Sequence, residues 1–386
     1  MILLTGAGLL VRTLAKLEAV DTGVRVDHVL TVELPLNGSS GTRQEQQLAN
    51  RARLARYRDR VAALPGVTMV AMGDGTPLSS DGMAAEILLD NRPLGSGEAV
   101  PRAVVKTIDT RYFEVAGMRL LAGRLFTPAD IAGAAPVVIV TQGFAKRLFG
   151  EVNPLGQRIA WTGWQKSALP AGDVAATIVG VAADTRDDGV DAPPTPTVFL
   201  PLEQGLVYSG TLVIRSPSDP AVLEPEVVHA IREMSRQQLI EKIRTLEALR
   251  DRSVAPRRLN AMFLASFAGL ALVIAMVGIG AVLAFSVSSR IHEIGIRMSI
   301  GADAAAVRRM VLREGGVLLG AGVVFGFAGA LAAARLLRGL LFGVAPNDPV
   351  TLATVALALT GIGLAACWLP AARAARVDPS VALRAE

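Results

Sequence analysis

The sequence predicts a membrane protein: apolar helices gather at its C-terminal end, and an α+β domain precedes them. Three observations carry that fold class. Of 386 residues, 51% are hydrophobic and only 19% are charged, where soluble domains carry about 25% charge. The excess is concentrated, since no charged residue occurs from Leu259 to Ser289, from Gly315 to Ala334 or from Pro349 to Ala372. Each run reaches the ~20 apolar residues that a helix needs to cross a hydrocarbon core of about 30 Å. Residues 25–255, by contrast, alternate apolar stretches with turn signals, as a folded domain does.

Composition removes several function classes. Disorder requires low hydrophobicity. A single Cys excludes a disulfide framework and a Cys-based metal cluster. The three His, at 28, 229 and 292, are too far apart in sequence to suggest a ligand set. A net charge of +5 is small for this length and gives no argument for nucleic acid.

Taken in chain order, Met1 to Val11 is apolar and is followed by Arg12 and Lys16. Eleven residues cannot span a bilayer. Neither a basic region before this stretch nor a small-residue cleavage site after it marks a signal peptide. Residues 1–20 are therefore expected to be the outer end of a membrane helix whose beginning is missing, so that the chain is a fragment or starts at a misplaced position.

The α+β domain is expected over 25–255. VLTVELPL at 29–36 alternates as a half-buried strand. Thr42 and Glu45 have capping-box spacing, and Leu54, Tyr57, Val61 and Leu64 then share one helical face before Pro65-Gly66 ends the helix. Strands are expected at 67–72, 102–108, 136–141, 176–183, 197–201 and 211–215. Helices are expected at 142–149 and 220–236, the second with Val227, Ile231 and Met234 in register. Residues 163–174 and 192–196 read as loops. The Arg-rich helix 43–60 reads as a solvated face, and the acidic cluster Asp184, Asp187, Asp188 and Asp191 as a solvated loop that lacks the spacing of a calcium loop.

The third part, 259–386, is expected to hold membrane helices at about 259–289, 315–334 and 349–372. Gly316, Gly320, Gly322 and Gly326 recur at four-residue spacing, which allows close approach of helix backbones. Orientation follows from loop charge. The 290–314 segment carries Arg290, Arg297, Arg308, Arg309 and Arg313; the tail 373–386 carries Arg373, Arg376 and Arg384; the loop between the second and third runs carries Arg335 and Arg338. The positive-inside rule places the first two segments in the cytoplasm and the 25–255 domain outside it.

No catalytic constellation emerges. There is no G-x-S-x-G elbow and no H-E-x-x-H pair. The Lys residues, at 16, 106, 146, 166 and 242, never follow a Gly, so the phosphate-cradling Walker A loop is absent. The apolar runs hold no ionisable residue of the kind that ion-coupled carriers keep in their membrane core. Energy for any transport must come from a partner.

Residues 290–302 read RIHEIGIRMSIGA. This resembles the cytoplasmic segment after the second membrane helix of FtsX/MacB-type ABC transporter permeases. The tail PAARAARVDPSVALRAE from Pro370 resembles the end of that family. Residues 108–130, the stretch around Asn153-Pro154-Leu155-Gly156 and residues 178–202 are similar to its MacB-type core domain. The wording is most similar to the C-terminal half of the large duplicated permeases. The resemblance implies a multi-pass protein of the bacterial inner membrane, with the core domain in the periplasm, and no catalysis or cofactor of its own. ATP would sit on a cytoplasmic ABC ATPase. A second permease half, either another copy or the N-terminal half of a longer chain, and a periplasmic adaptor are the further partners implied, with no nucleic acid. The ATPase-coupling segment maps to Arg290, Glu293, Ile294, Gly295, Ile296, Arg297, Gly301 and Ala302, and the cytoplasmic tail motif to Pro370, Arg376, Asp378, Pro379, Ala382 and Leu383. A short amphipathic helix with Ile294, Ile296 and Met298 suits a partner's groove, with Arg290, Glu293 and Arg297 setting register at its rim. The alternative is a membrane-anchored sensor or scaffold with a ligand-binding ectodomain and no energised transport.

Overall fold

The computed structural model describes residues 1–36, 41–79, 82–90, 100–131, 133–161, 175–207, 209–290, 296, 304–336, 339 and 341–374. The chain divides into two compact units: Val20–Val254, and Met1–Ala19 together with Ala255–Glu386.

The Val20–Val254 unit is an α+β domain. Its strands are β1 (Val29–Pro35), β2 (Met69–Asp74), β3 (Met83–Leu89), β4 (Arg102–Ile108), β5 (Leu120–Gly123), β6 (Val137–Thr141), β7 (Arg158–Trp161), β8 (Ala175–Ala182), β9 (Thr197–Pro201), β10 (Ser209–Arg215) and β11 (Lys242–Thr245). They run in the order β11-β1-β10-β2-β4-β3-β7-β8-β6-β9, with β5 on β8. Because β9 also pairs with β4 in parallel, from Val104 opposite Thr197 to Ile108 opposite Pro201, six of them close into a ring. Closure removes free edges. Its apolar core includes Ile87, Val138, Phe144, Ile159, Trp161 and Ile178.

The open arm, β11-β1-β10-β2, carries α2 (Arg43–Ala62) and α5 (Glu224–Met234) over a core with Leu34, Leu54, Tyr57, Val70, Val227 and Ile231. The capping box forms: the Thr42 hydroxyl accepts from the Glu45 amide, and the Glu45 carboxylate accepts from the Thr42 amide. Leu54 sits so close over Gly210 on β10 that a Cβ there would overlap it. The short α3 (Tyr112–Ala116) ends at Gly117 in the left-handed conformation, and α4 (Gln142–Phe149) follows β6 directly.

The expected strands and helices all form, with shifts of one or two residues at most ends. Residues 220–223 are a 3-10 turn capped by Asp219 rather than the start of an α-helix. Met234 is 41% exposed, because α5 stops there and Ser235 turns extended. Four strands were not anticipated. β3, MAAEILL, does not alternate cleanly, and β5, β7 and β11 are only four residues each. Their pairing comes from neighbours rather than from local pattern. The loop expected at 163–174 lies outside the described residues.

The second unit is helical: α1 (Ile2–Glu18), α6 (Leu246–Ser289, which begins in the first unit), α7 (Ala304–Leu336) and α8 (Pro349–Ala374). Among the described residues three stretches are long and apolar enough to cross a membrane: Leu246–Ser289, Leu312–Leu336 and Pro349–Trp368. α6 and α7 extend well beyond the uncharged runs. Arg and Leu are good helix formers whether or not lipid surrounds them, so an uncharged run marks the span and not the helix. α8 starts with an N-cap signature in which Asp348 accepts from the Thr351 amide at 2.9 Å and hydroxyl at 2.6 Å, with Pro349 at the first helical position. Arg12 of α1 pairs with Asp348, and Lys16 donates to the Gly343 carbonyl.

Candidate functional site

No loop separates β11 from α6. The Thr245 hydroxyl accepts from the Ala248 amide at 3.1 Å and so caps the helix where the strand ends. Leu246 is fully buried among Ile108, Tyr112, Phe113 and Val213. β11 pairs with β1 from Leu30 opposite Thr245 to Glu33 opposite Lys242. Two side-chain contacts reinforce that ladder: Thr31 donates to the Arg244 carbonyl at 2.9 Å, and Lys242 pairs with Glu33 at 3.0 Å. At ~1.5 Å per residue the 44-residue α6 is about 66 Å long. Any displacement of its base acts on the sheet through a capped, buried joint. Pro256 provides no amide to the Arg252 carbonyl, so one rung of the helix ladder is missing just beyond that base.

Glu33 leads into a buried polar network. Its other oxygen accepts from Thr76 at 2.9 Å, and the Thr76 carbonyl accepts from the Lys106 ammonium at 3.2 Å. Lys106 pairs with Asp187 at 2.7 Å, the two side chains being 3% and 1% exposed. Asp187 also accepts from the Leu78 amide at 3.1 Å and from Thr185 at 3.3 Å. Its own amide donates to Thr195, whose hydroxyl donates to Asp188. The expectation of a solvated acidic loop is corrected at Asp187, which is buried, while Asp188 is exposed. Lys106 points inward from β4, and a buried cation requires an anion. Asp184 likewise accepts from the Gly143 amide, at 2.6 Å. The loop rests on the base of α6, where a Cβ at Gly189 would meet Ser253 at 3.8 Å. Among the described residues no cluster of three metal-ligating side chains occurs; Asp187 already has its counter-charge.

Asp109, at the end of β4, is buried. It accepts from the Met72 amide at 3.0 Å and from the Arg111 amide at 3.1 Å, which fixes the approach to α3. Burial outweighs these bonds and raises its carboxyl to about 6.

Of the expected coupling residues, Arg290 directly follows α6 and pairs with Glu314 of α7 at 2.8 Å, and Ser286 donates to the same carboxylate at 3.3 Å. Ile296 is 40% exposed. Glu293, Ile294, Gly295, Arg297, Gly301 and Ala302 lie outside the described residues, as do Arg376, Asp378, Pro379, Ala382 and Leu383; Pro370 falls within α8. Of the four spaced glycines, Gly326 is approached closely, with Met1 at 2.5 Å from an added Cβ, whereas Gly316, Gly320 and Gly322 have nothing within 4 Å. Close helix contacts also use Gly315, against Cys367 at 2.7 Å, and Gly363, which Leu319 covers.

The Lys106–Asp187 pair and the Thr245 cap escaped the sequence reading. The Thr245 cap was legible as Thr before Leu-Glu-Ala-Leu. No sequence signal joins residues 81 apart.

Residues 20–233 match the MacB-like periplasmic core domain family, and residues 265–379 the FtsX-like permease C-terminal family. The chain belongs to the FtsX/MacB-type ABC permeases. Among the curated relatives of this permease, the macrolide export ATP-binding/permease protein MacB 1/2 of Paracoccus denitrificans is 29% identical over 75% of this chain and 43% of its own length. The probable syringafactin export ATP-binding/permease protein SyfD of Pseudomonas syringae pv. tomato is 28% identical over 73% of this chain and 42% of its own. The permease thus spans less than half the length of the curated relatives it matches. Among solved structures, the periplasmic region of MacB from Actinobacillus actinomycetemcomitans aligns with a TM-score of 0.39 and 16% identity, covering 59% of this chain and 92% of that one.

Proposed function

We propose that this permease works in an ABC-type exporter or mechanotransmission complex, coupling ATP hydrolysis by a separate cytoplasmic ATPase to movement of its periplasmic core domain. The observation that carries the proposal is α6, a single helix capped and buried in the core sheet at Leu246 and ending at Ser289, one residue before the coupling motif. The relatives' names, which pair export with ATP binding, support the direction of transport and the energy source. These 386 residues hold no Walker A loop, and the proposal assigns ATP binding to the partner subunit. ATPase engagement at 290–302 moves the cytoplasmic end of α6. The helix delivers that motion to β11, and through Lys242, Glu33 and Thr76 to the buried Lys106–Asp187 pair. The uncharged spans suit a moving helix better than a conduit for polar solutes. A second permease half and a periplasmic adaptor complete the assembly in the inner membrane.

Co-purification with a P-loop ATPase from the native membrane tests the proposal. Glu293→Arg is expected to abolish association. Two glycines inserted after Arg252 are expected to preserve association and abolish transport. Association that survives Glu293→Arg, or transport that survives the insertion, overturns it.

A further inference from the structure

Helix α2 carries six arginines, and they are not equivalent. Arg51 donates to the Gly205 carbonyl at 2.6 Å, Arg58 pairs with Asp59 at 2.7 Å and Arg60 with Glu233 at 2.7 Å. Arg53 and Arg56 have no hydrogen bond or ion pair among the described residues. These same two line a pocket of about 190 Å³ between α2 and the C-terminal end of α5, together with Tyr57, Met234, Ser235 and Gln238.

One side of the pocket is fixed by hydrogen bonds within the domain. Tyr57 is buried and gives its hydroxyl proton to Gln238 Oε1 at 3.2 Å. Gln238 spends both amide hydrogens on the carbonyls of Pro35, at 3.0 Å, and Leu239, at 2.9 Å. That side of the pocket is therefore held in place before any ligand arrives. The Ser235 hydroxyl has no partner among the described residues. Among the described residues no carboxylate lines the pocket, and those adjoining in sequence are engaged: Asp59 with Arg58, and Glu233 with Arg60 and with His229 at 3.0 Å. Arginines three apart on a helix repel one another, and Arg53 is half-buried without a counter-charge. Two planar guanidinium forks offer bidentate bonds to oxyanions. Their combined charge matches a phosphate group, which carries about −1.5 to −2 near neutral pH; a carboxylate would neutralise only one.

We propose that this pocket binds a phosphate group, with Arg53 and Arg56 as its charge partners and the Ser235 hydroxyl as a third donor. The group belongs to a soluble phosphate ester or ion, or to a phospholipid headgroup.

The test uses the full chain in nanodiscs of zwitterionic lipid. Inorganic phosphate is titrated calorimetrically at constant ionic strength, and a short-chain, water-soluble phosphatidic acid is titrated in parallel. Saturable binding at one site per chain is expected. The double variant Arg53→Gln/Arg56→Gln should weaken it about tenfold or more, as loss of charge-assisted hydrogen bonds does. Its melting temperature without phosphate should not fall, because a like-charge repulsion has been removed. Arg43→Gln, at the other end of α2, should leave binding unchanged. Tighter binding of phosphatidic acid with the same arginine dependence identifies a headgroup; equal binding of the two probes identifies free phosphate. The proposal is overturned if neither probe saturates, or if binding persists in the double variant.

Discussion

The two units use apolar residues in opposite ways. Phe144, inside the core domain, is fully buried, whereas Phe325 on α7 is 79% exposed. In the core domain apolar side chains cover one another, and the polar groups around Asp187 are buried as a hydrogen-bonded network. In the spans the mean hydropathy reaches 2.6, yet only 6% of the most apolar stretch of α6 is buried within the chain. Hydropathy alone therefore reports that a side chain leaves water, not what it meets instead. Lipid serves the second unit as packed protein serves the first.

The largest effect that would sharpen this contrast lies in the buried ion pair. Asp187→Ala strands the Lys106 ammonium and is expected to destabilise the core domain by about 3–5 kcal/mol. The double change Lys106→Met/Asp187→Leu should recover most of that loss, as chemical denaturation of the purified chain would reveal. Failure of the double change to recover stability would mean that the surrounding threonines, rather than the charges, hold the loop.

Nearly as large is the difference between the two phenylalanines. Phe144→Ala should cost about 3–5 kcal/mol, and Phe325→Ala little, measured by the same denaturation in detergent. An equal cost would break the comparison, since it would make the Phe325 face a packed protein contact.

Asp109 gives the core domain a pH signature. Its folded-state carboxyl lies near 6 against an ordinary value of 3.8, so between these values the folded state holds more protons than the unfolded one. Stability therefore falls as pH rises from about 4 to 6. The full penalty, at most ~3 kcal/mol, persists above 6. The charged groups acting on it are Arg58, which lowers its pKa, and Glu203, which raises it. Thermal unfolding followed from pH 4.5 to 7.5 should show the slope, and Asp109→Asn should flatten it; a slope unchanged by that substitution assigns the titration to another group. The smallest effect belongs to the α2 cap: Thr42→Ala removes one half of the capping box and should cost about 1 kcal/mol, detectable as a shift of the denaturation midpoint.

Much of this was legible in the residues. Uncharged run length located three helices, and alternation located β1. Thr42 with Glu45 announced the start of α2. Short strands were not legible, because four residues such as KIRT carry no periodicity of their own; β11 exists because β1 offers it a ladder. The acidic loop was read as solvated because its partner, Lys106, lies on another strand. The arginines of α2 were read as one solvated face because helical spacing cannot tell which guanidinium finds a carbonyl, which finds a carboxylate and which finds neither.

The sequence by itself determined the membrane character, the division into an apolar helical part and an α+β part, and the segment that resembles the family's coupling motif. Each depends on residues near one another in the chain: a helix span on consecutive apolar residues, a motif on consecutive types. Only the tertiary structure decided that α6 grows directly out of a sheet strand, that Lys106 and Asp187 form a buried pair, and that Arg53 and Arg56 line one cavity. Those facts depend on strand register and helix packing, which bring together groups 81 residues apart as readily as neighbours.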